Sequence, residues 1–142
     1  MAADQDIGAV PRVILHCGVQ KTGSTSLQVY LQRNQAALSR WAEVQTPARG
    51  SLIRKIGFAA MQFSLDPSPE LEIQFVGLLH TLRDQLLANG SPTLISHENL
   101  FGAMIGNRGV VTLYPQVERI IGLINANLAP LTPEFVYYTR DM

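Results

Sequence analysis

Short apolar runs alternate with longer amphipathic stretches along this chain. Val13-Ile14-Leu15-His16-Cys17 is nearly continuous in apolar character, which predicts a strand over about 12–17 in a sheet buried on both faces. Leu27, Leu31 and Leu38 then recur at helical spacing and predict a helix from about 23 to 39. The stretch from Trp41 to Ser51 holds Pro47 and Gly50 and reads as irregular, with a short strand near Val44. Residues 52–64 carry a weaker helical pattern interrupted by Gly57. Ser68 as N-cap, Pro69 at the first helical position and Glu70 and Glu72 in the first turn announce the next helix. Its apolar face is Leu71, Phe75, Leu78, Leu79, Leu82 and Leu86, and Asn89-Gly90 ends it.

Pro92 leads into a second strand, Thr93-Leu94-Ile95-Ser96, followed by His97-Glu98-Asn99. Glycine-rich residues 100–113 read as loop. Pro115 opens a helix with Val117, Ile120, Ile121, Ile124 and Leu128 on one face. The last strand is Glu134-Phe135-Val136-Tyr137-Tyr138-Thr139, with Arg140-Asp141-Met142 after it. Strands separated by helices imply right-handed crossovers and a parallel sheet in an α/β layer. Residues 1–10 form a lead-in, and 11–142 form the domain.

Composition changes this picture little. At 142 residues, with 46% hydrophobic and 15% charged content, the chain is one globular domain's worth with a sizeable core. Eleven basic and eleven acidic residues cancel, so no global field favours nucleic acid or an anionic membrane. The acidic amino terminus lacks the apolar core of a signal peptide, and no apolar run nears the roughly 20 residues of a membrane span. A cytoplasmic location is the default expectation. The single cysteine, Cys17, reads as a buried structural thiol. The three histidines show no metal-ligand spacing: His16 reads as a core histidine and His80 as a surface or rim residue. Tyr137-Tyr138 reads as strand packing, and Trp41 as packing with an acceptor pocket as its other use.

The chemistry concentrates at the strand ends. Gly18-Val19-Gln20-Lys21-Thr22-Gly23-Ser24-Thr25 follows the first strand and opens a helix. Two glycines let backbone N–H groups turn inward, Lys21 adds a mobile cation, and Ser24 and Thr25 add hydroxyls at the helix's positive end. The loop reads as an anion site. A Walker A loop places its lysine after the second glycine, whereas Lys21 stands two places before Gly23. That order, and the lack of a clear aspartate at a second strand end to hold magnesium, disfavours a P-loop kinase or nucleotide triphosphatase. Ligands of open parallel sheets gather outside the carboxyl ends of the strands. The topology would bring Lys21 to Thr25, Ser96 to Asn99, and Arg140 to one edge. His97 and Glu98 are both candidate bases, and strand alternation sends them to opposite sides.

Gln20-Lys21-Thr22-Gly23-Ser24-Thr25-Ser26-Leu27-Gln28 resembles the 5′-phosphosulfate loop of the sulfotransferase family, particularly its bacterial and carbohydrate-type branches. The resemblance implies a P-loop-nucleotide-hydrolase-like three-layer sandwich. It implies transfer of a sulfuryl group from 3′-phosphoadenosine-5′-phosphosulfate (PAPS) to an acceptor hydroxyl or amine, without a metal. Gln20, Lys21, Thr22, Gly23, Ser24 and Thr25 would bind the 5′ end of the donor. Lys21 would also be catalytic, at the bridging oxygen. Arg140 resembles the arginine that binds the 3′-phosphate. The base would be Glu98 or His97, and Ser-x-Glu-Asn favours Glu98. The acceptor would be a carbohydrate or small molecule. The family domain normally continues past this point, which implies a portion incomplete at the C-terminus and, as the alternative function, a truncated non-catalytic nucleotide-binding fragment.

Overall fold

A computed structural model of the chain describes residues 10–17, 24–103 and 114–137. Strand β1 (Val13–His16) is followed by helices α1 (Ser24–Arg33) and α2 (Gln35–Leu38), strand β2 (Glu43–Gln45), and helices α3 (Leu52–Leu65) and α4 (Pro69–Asn89). Strand β3 (Thr93–Ser96), a 3-10 turn (Glu98–Phe101), helix α5 (Val117–Leu128) and strand β4 (Glu134–Val136) complete it. The four strands form one sheet in the order β2-β3-β1-β4, and every pairing is parallel. The expected α/β layer with a parallel sheet is therefore present, with the strand near Val44 as its fourth member.

The most apolar strands, β1 and β3, lie in the middle, and the glutamate-bearing β2 and β4 lie outside. Val13, Leu15, Cys17 and Ile95 point to the face covered by α3, α4 and α5, where they join Ile53, Ile56, Phe63, Phe75, Leu79, Ile120 and Ile124 in one buried cluster. Each fully buried side chain of this size contributes about 1.5–3 kcal/mol relative to exposure. The Phe63 and Phe75 rings stack at 6.4 Å and join α3 to α4. Crossovers from β2 to β3 and from β3 to β4 run in one direction along the sheet, and the crossover from β1 to β2 runs in the other. The right-handed rule then assigns α1 and α2 to the opposite face from α3, α4 and α5.

Local chemistry explains the ends. The Ser68 hydroxyl accepts from the Leu71 N–H at 3.2 Å, Pro69 stands where its missing N–H costs nothing, and Gly90 closes α4 at φ 72°. The predicted 23–39 helix divides at Asn34, whose side-chain amide donates to the Tyr30 carbonyl at 2.8 Å. The same carbonyl keeps its bond from the Asn34 N–H at 3.0 Å, so the side chain adds a second donor at the residue where the helix divides, a break that periodicity alone does not show. The interruption expected at Gly57 does not occur, because α3 runs through it unbroken. The helix expected from Pro115 begins at Val117. Trp41, expected to pack, is 68% exposed beneath the Arg40 guanidinium, and it precedes β2 at the amino edge of the sheet, away from the carboxyl ends. His80 is half-buried rather than on a rim, and its Nε2 bridges to Asn127 Oδ1 at 2.9 Å, joining α4 to α5. Among the described residues no helix is long and apolar enough to cross a membrane.

Candidate functional site at the carboxyl edge of the sheet

The hydrogen-bond ladder continues just past the strands. The His97 N–H donates to the His16 carbonyl at 3.0 Å, and the Cys17 N–H donates to the Val136 carbonyl at 2.9 Å. The carboxyl ends of β3, β1 and β4 are therefore neighbours at one level. The chain leaves β1 toward α1 on one face and leaves β3 toward α5 on the other, so a topological switch point lies between them. Open parallel sheets bind ligands at such a crevice.

Of the expected site residues, Ser24 and Thr25 occupy the first turn of α1, and His97 and Glu98 follow β3 directly. Gln20, Lys21, Thr22, Gly23 and Arg140 lie outside the described residues, as do Tyr138 and the expected loop over 104–113.

His97 and Glu98 turn toward different helices. His97 is 5% exposed and packs against Gly57 of α3, where a Cβ would come within 2.1 Å of its Nε2. Its Nδ1 accepts from the Asn99 N–H at 3.3 Å and so caps the 3-10 turn. Glu98 turns toward α1, and its Oε2 accepts from the Gln28 side-chain amide at 2.7 Å. The expected divergence to opposite sides does not hold for the polar atoms: His97 Nδ1 lies 3.7 Å from Glu98 Oε2, because Glu98 opens a 3-10 turn instead of continuing the alternation of β3. That distance exceeds a hydrogen bond.

The His97 ring first and the Gln28 amide second hold the Glu98 carboxyl down at about 2, against the upward push of burial. The 2.7 Å bond from Gln28 acts whatever the state of the ring. A carboxyl lowered in the folded state adds stability above its unfolded pKa and loses it as pH falls toward the folded value. The Glu98 contribution is thus complete above an ordinary 4.5 and disappears on approach to about 2. In carbon-detected NMR titration the Glu98 carboxyl should change state near the lower value, and Gln28→Ala should move the midpoint upward. An unchanged midpoint would mean that the amide does not hold the carboxylate.

Behind this pair, His16 is buried as expected and shares a 2.8 Å hydrogen bond through Nδ1 with the Ser96 hydroxyl, joining β1 to β3. Burial lowers its pKa. Cys17 is fully buried, and burial pushes its thiol up to about 12, which excludes a resting thiolate nucleophile. Next to β4, Tyr114 and Tyr137 join Phe101 and Phe135 in an aromatic cluster, so the expected packing role of Tyr137 holds. Tyr114 is 5% exposed, its hydroxyl meets no hydrogen-bond partner at good geometry among the described residues although Tyr137 lies beside it, and its backbone takes the strained φ of 48°. An unpaired buried hydroxyl costs about 1–3 kcal/mol. Tyr114→Phe is therefore expected to raise stability by about 1 kcal/mol in urea unfolding. A loss of stability would show that the hydroxyl is satisfied.

Among the described residues no group of histidine, cysteine, aspartate or glutamate could hold a metal ion. Gln28 is the site residue whose role the sequence left unread. It stands inside the loop-and-helix motif, but nothing in the pattern connects it to a glutamate 70 residues away. No protein-family model matches the chain, and no curated protein matches its sequence.

Proposed function

We propose that the chain is a sulfotransferase-like domain that transfers a sulfuryl group from PAPS to an acceptor hydroxyl or amine, within a P-loop-like sandwich. One observation carries the proposal. The helix following the Lys21 loop is hydrogen-bonded through Gln28 to Glu98 at the end of β3, across the switch point of an all-parallel sheet. Donor loop and candidate base are thereby coupled through one side chain.

In this mechanism the amides of Thr22 to Thr25 hold the 5′-phosphate, Lys21 supplies the cation for the bridging oxygen, and Arg140 pairs with the 3′-phosphate. The acceptor oxygen forms a bond to sulfur as the bond from sulfur to the bridging oxygen breaks. The electron pair leaves with adenosine 3′,5′-bisphosphate, and the acceptor proton passes to Glu98. Glu98 suits this role better than His97, whose Nδ1 accepts from the Asn99 N–H and whose Nε2 lies against Gly57. A carboxyl held at about 2 is a weak base at rest. Two changes on binding raise it: the polyanionic nucleotide opposes carboxylate charge, and the substrates displace water from around it.

Calorimetric titration with adenosine 3′,5′-bisphosphate tests the proposal. Saturable binding that needs no magnesium is expected. No heat at millimolar ligand from a folded chain would favour the non-catalytic fragment. Magnesium-dependent ATP binding that outcompetes the bisphosphate would restore the kinase or triphosphatase.

A further inference from the structure

A cleft of about 300 Å³ opens between α3 and the 3-10 turn, lined by Pro47, Arg54, Phe58, His97, Glu98 and Asn99. It lies at the carboxyl ends of β2 and β3, on the α3 side of the sheet. Its size suits one ring rather than a dinucleotide-sized ligand, since small-molecule pockets begin at about this volume.

Helix α3 buries Ile53, Ile56, Gly57, Ala59, Ala60 and Phe63 and turns Arg54 and Phe58 into this cleft. The two are one helical turn apart and therefore neighbours on the same face. Phe58 is 51% exposed, although the helix it sits on is otherwise well packed. Among the described residues Arg12, Arg83 and Arg119 have carboxylate partners, whereas Arg54, like Arg33, Arg40 and Arg49, has none, and of these four Arg54 is the one that lines this cleft. Arg54 and Glu98 share the cleft without forming an ion pair, so a cation and an anion line it as separate groups. A ligand that satisfies both brings an anionic group to Arg54 and a hydroxyl donor to Glu98. The exposed Phe58 ring offers a flat apolar surface to whatever joins those two ends.

We infer that this cleft binds an acceptor whose ring carries both a hydroxyl and a carboxylate, with Arg54 pairing to the carboxylate, Phe58 covering the ring and Glu98 receiving the hydroxyl. As an acceptor site it rests on the sulfuryl-transfer proposal; as a binding site it stands on the cleft alone. A planar guanidinium fork matches a carboxylate in two parallel hydrogen bonds, which makes charge the main selector and ring type the lesser one. The same chemistry is offered by an acidic sugar and by a phenolic acid.

Two matched pairs separate these sources: glucuronate against glucose, and 4-hydroxyphenylacetate against 4-hydroxyphenylacetamide. Each is titrated into the full chain by NMR, with and without adenosine 3′,5′-bisphosphate. In at least one pair the carboxylate member should bind about tenfold more tightly, and the pair that discriminates identifies the ring. Arg54→Gln should abolish the preference, and Phe58→Ser should weaken both members of that pair. Both residues are exposed, so the variants should unfold at the same temperature as the native chain. Equal binding within both pairs, no binding by either, or a preference that survives Arg54→Gln overturns the inference. If the bisphosphate binds while the pairs fail, the cleft assignment falls and sulfuryl transfer stands. If the bisphosphate fails while the Arg54-dependent preference holds, the cleft stands as a binding site and the transfer proposal falls.

Discussion

Lys21→Ala is expected to cut sulfuryl transfer by roughly two to three orders of magnitude, the usual effect of removing one preorganised group at developing charge, about 2.7–4 kcal/mol of barrier. The negative charge that builds on the bridging oxygen needs a cation there at the moment the bond to sulfur breaks. In the sequence, Lys21 is the one basic residue between Cys17, just past β1, and Ser24, the first residue of α1. The measurement is release of adenosine 3′,5′-bisphosphate from PAPS in the presence of acceptor, with kcat and KM separated. A lysine that acts only on the transition state lowers kcat and leaves acceptor KM unchanged. Near-normal turnover in Lys21→Ala would sink the mechanism. A rise in donor KM alone would reduce the lysine to a ground-state anion anchor.

Gly57→Ala should destabilise the fold by about 1–3 kcal/mol, the usual cost of overpacking, even though alanine is the better helix former. At this position the added Cβ would lie 2.1 Å from Nε2, 2.4 Å from Cδ2 and 2.9 Å from Cε1 of His97. The ring cannot yield cheaply, because it is buried and its Nδ1 caps the 3-10 turn that carries Glu98. Moving it disturbs Glu98 as well, so the variant should also raise the Glu98 titration midpoint. Gly77→Ala in the exposed middle of α4, where a Cβ meets nothing within 4 Å, provides the control of opposite sign. It should gain up to about 1 kcal/mol from helix propensity. Urea unfolding of the two variants checks both. A Gly57→Ala protein as stabilised as Gly77→Ala would remove the close packing of α3 on His97, and with it the reason for a glycine there.

These two glycines show where the sequence stops being legible. Each sits inside a helical pattern, and propensity scores them alike. One is a gap in solvent and the other is the space a histidine ring occupies. Gly57 reads in the sequence as an interruption because helix periodicity registers only the cost of glycine. The compensation comes from a residue in a different element. Trp41 is a similar case: an apolar ring predicts packing, but a position before an edge strand leaves it without a partner layer.

What the sequence determines by itself is local and periodic. Runs buried on both faces specify β1 and β3, and the spacing of Leu71 through Leu86 specifies α4. Ser68-Pro69 and Gly90 set the ends of α4, because caps act within a single turn. The anion site expected at Gly18 to Thr25 is equally local as an expectation, since it depends on consecutive backbone groups and the cation among them. The tertiary structure decides the rest. It sets the strand order β2-β3-β1-β4, the break at Asn34, the Gln28 bond that ties α1 to Glu98, and the cleft that α3 builds with Arg54 and Phe58. Periodicity records which face of an element is apolar and not what comes to cover it. The polar contacts that give this edge its chemistry join residues tens of positions apart, and only the crossing of the chain over the sheet brings them within reach.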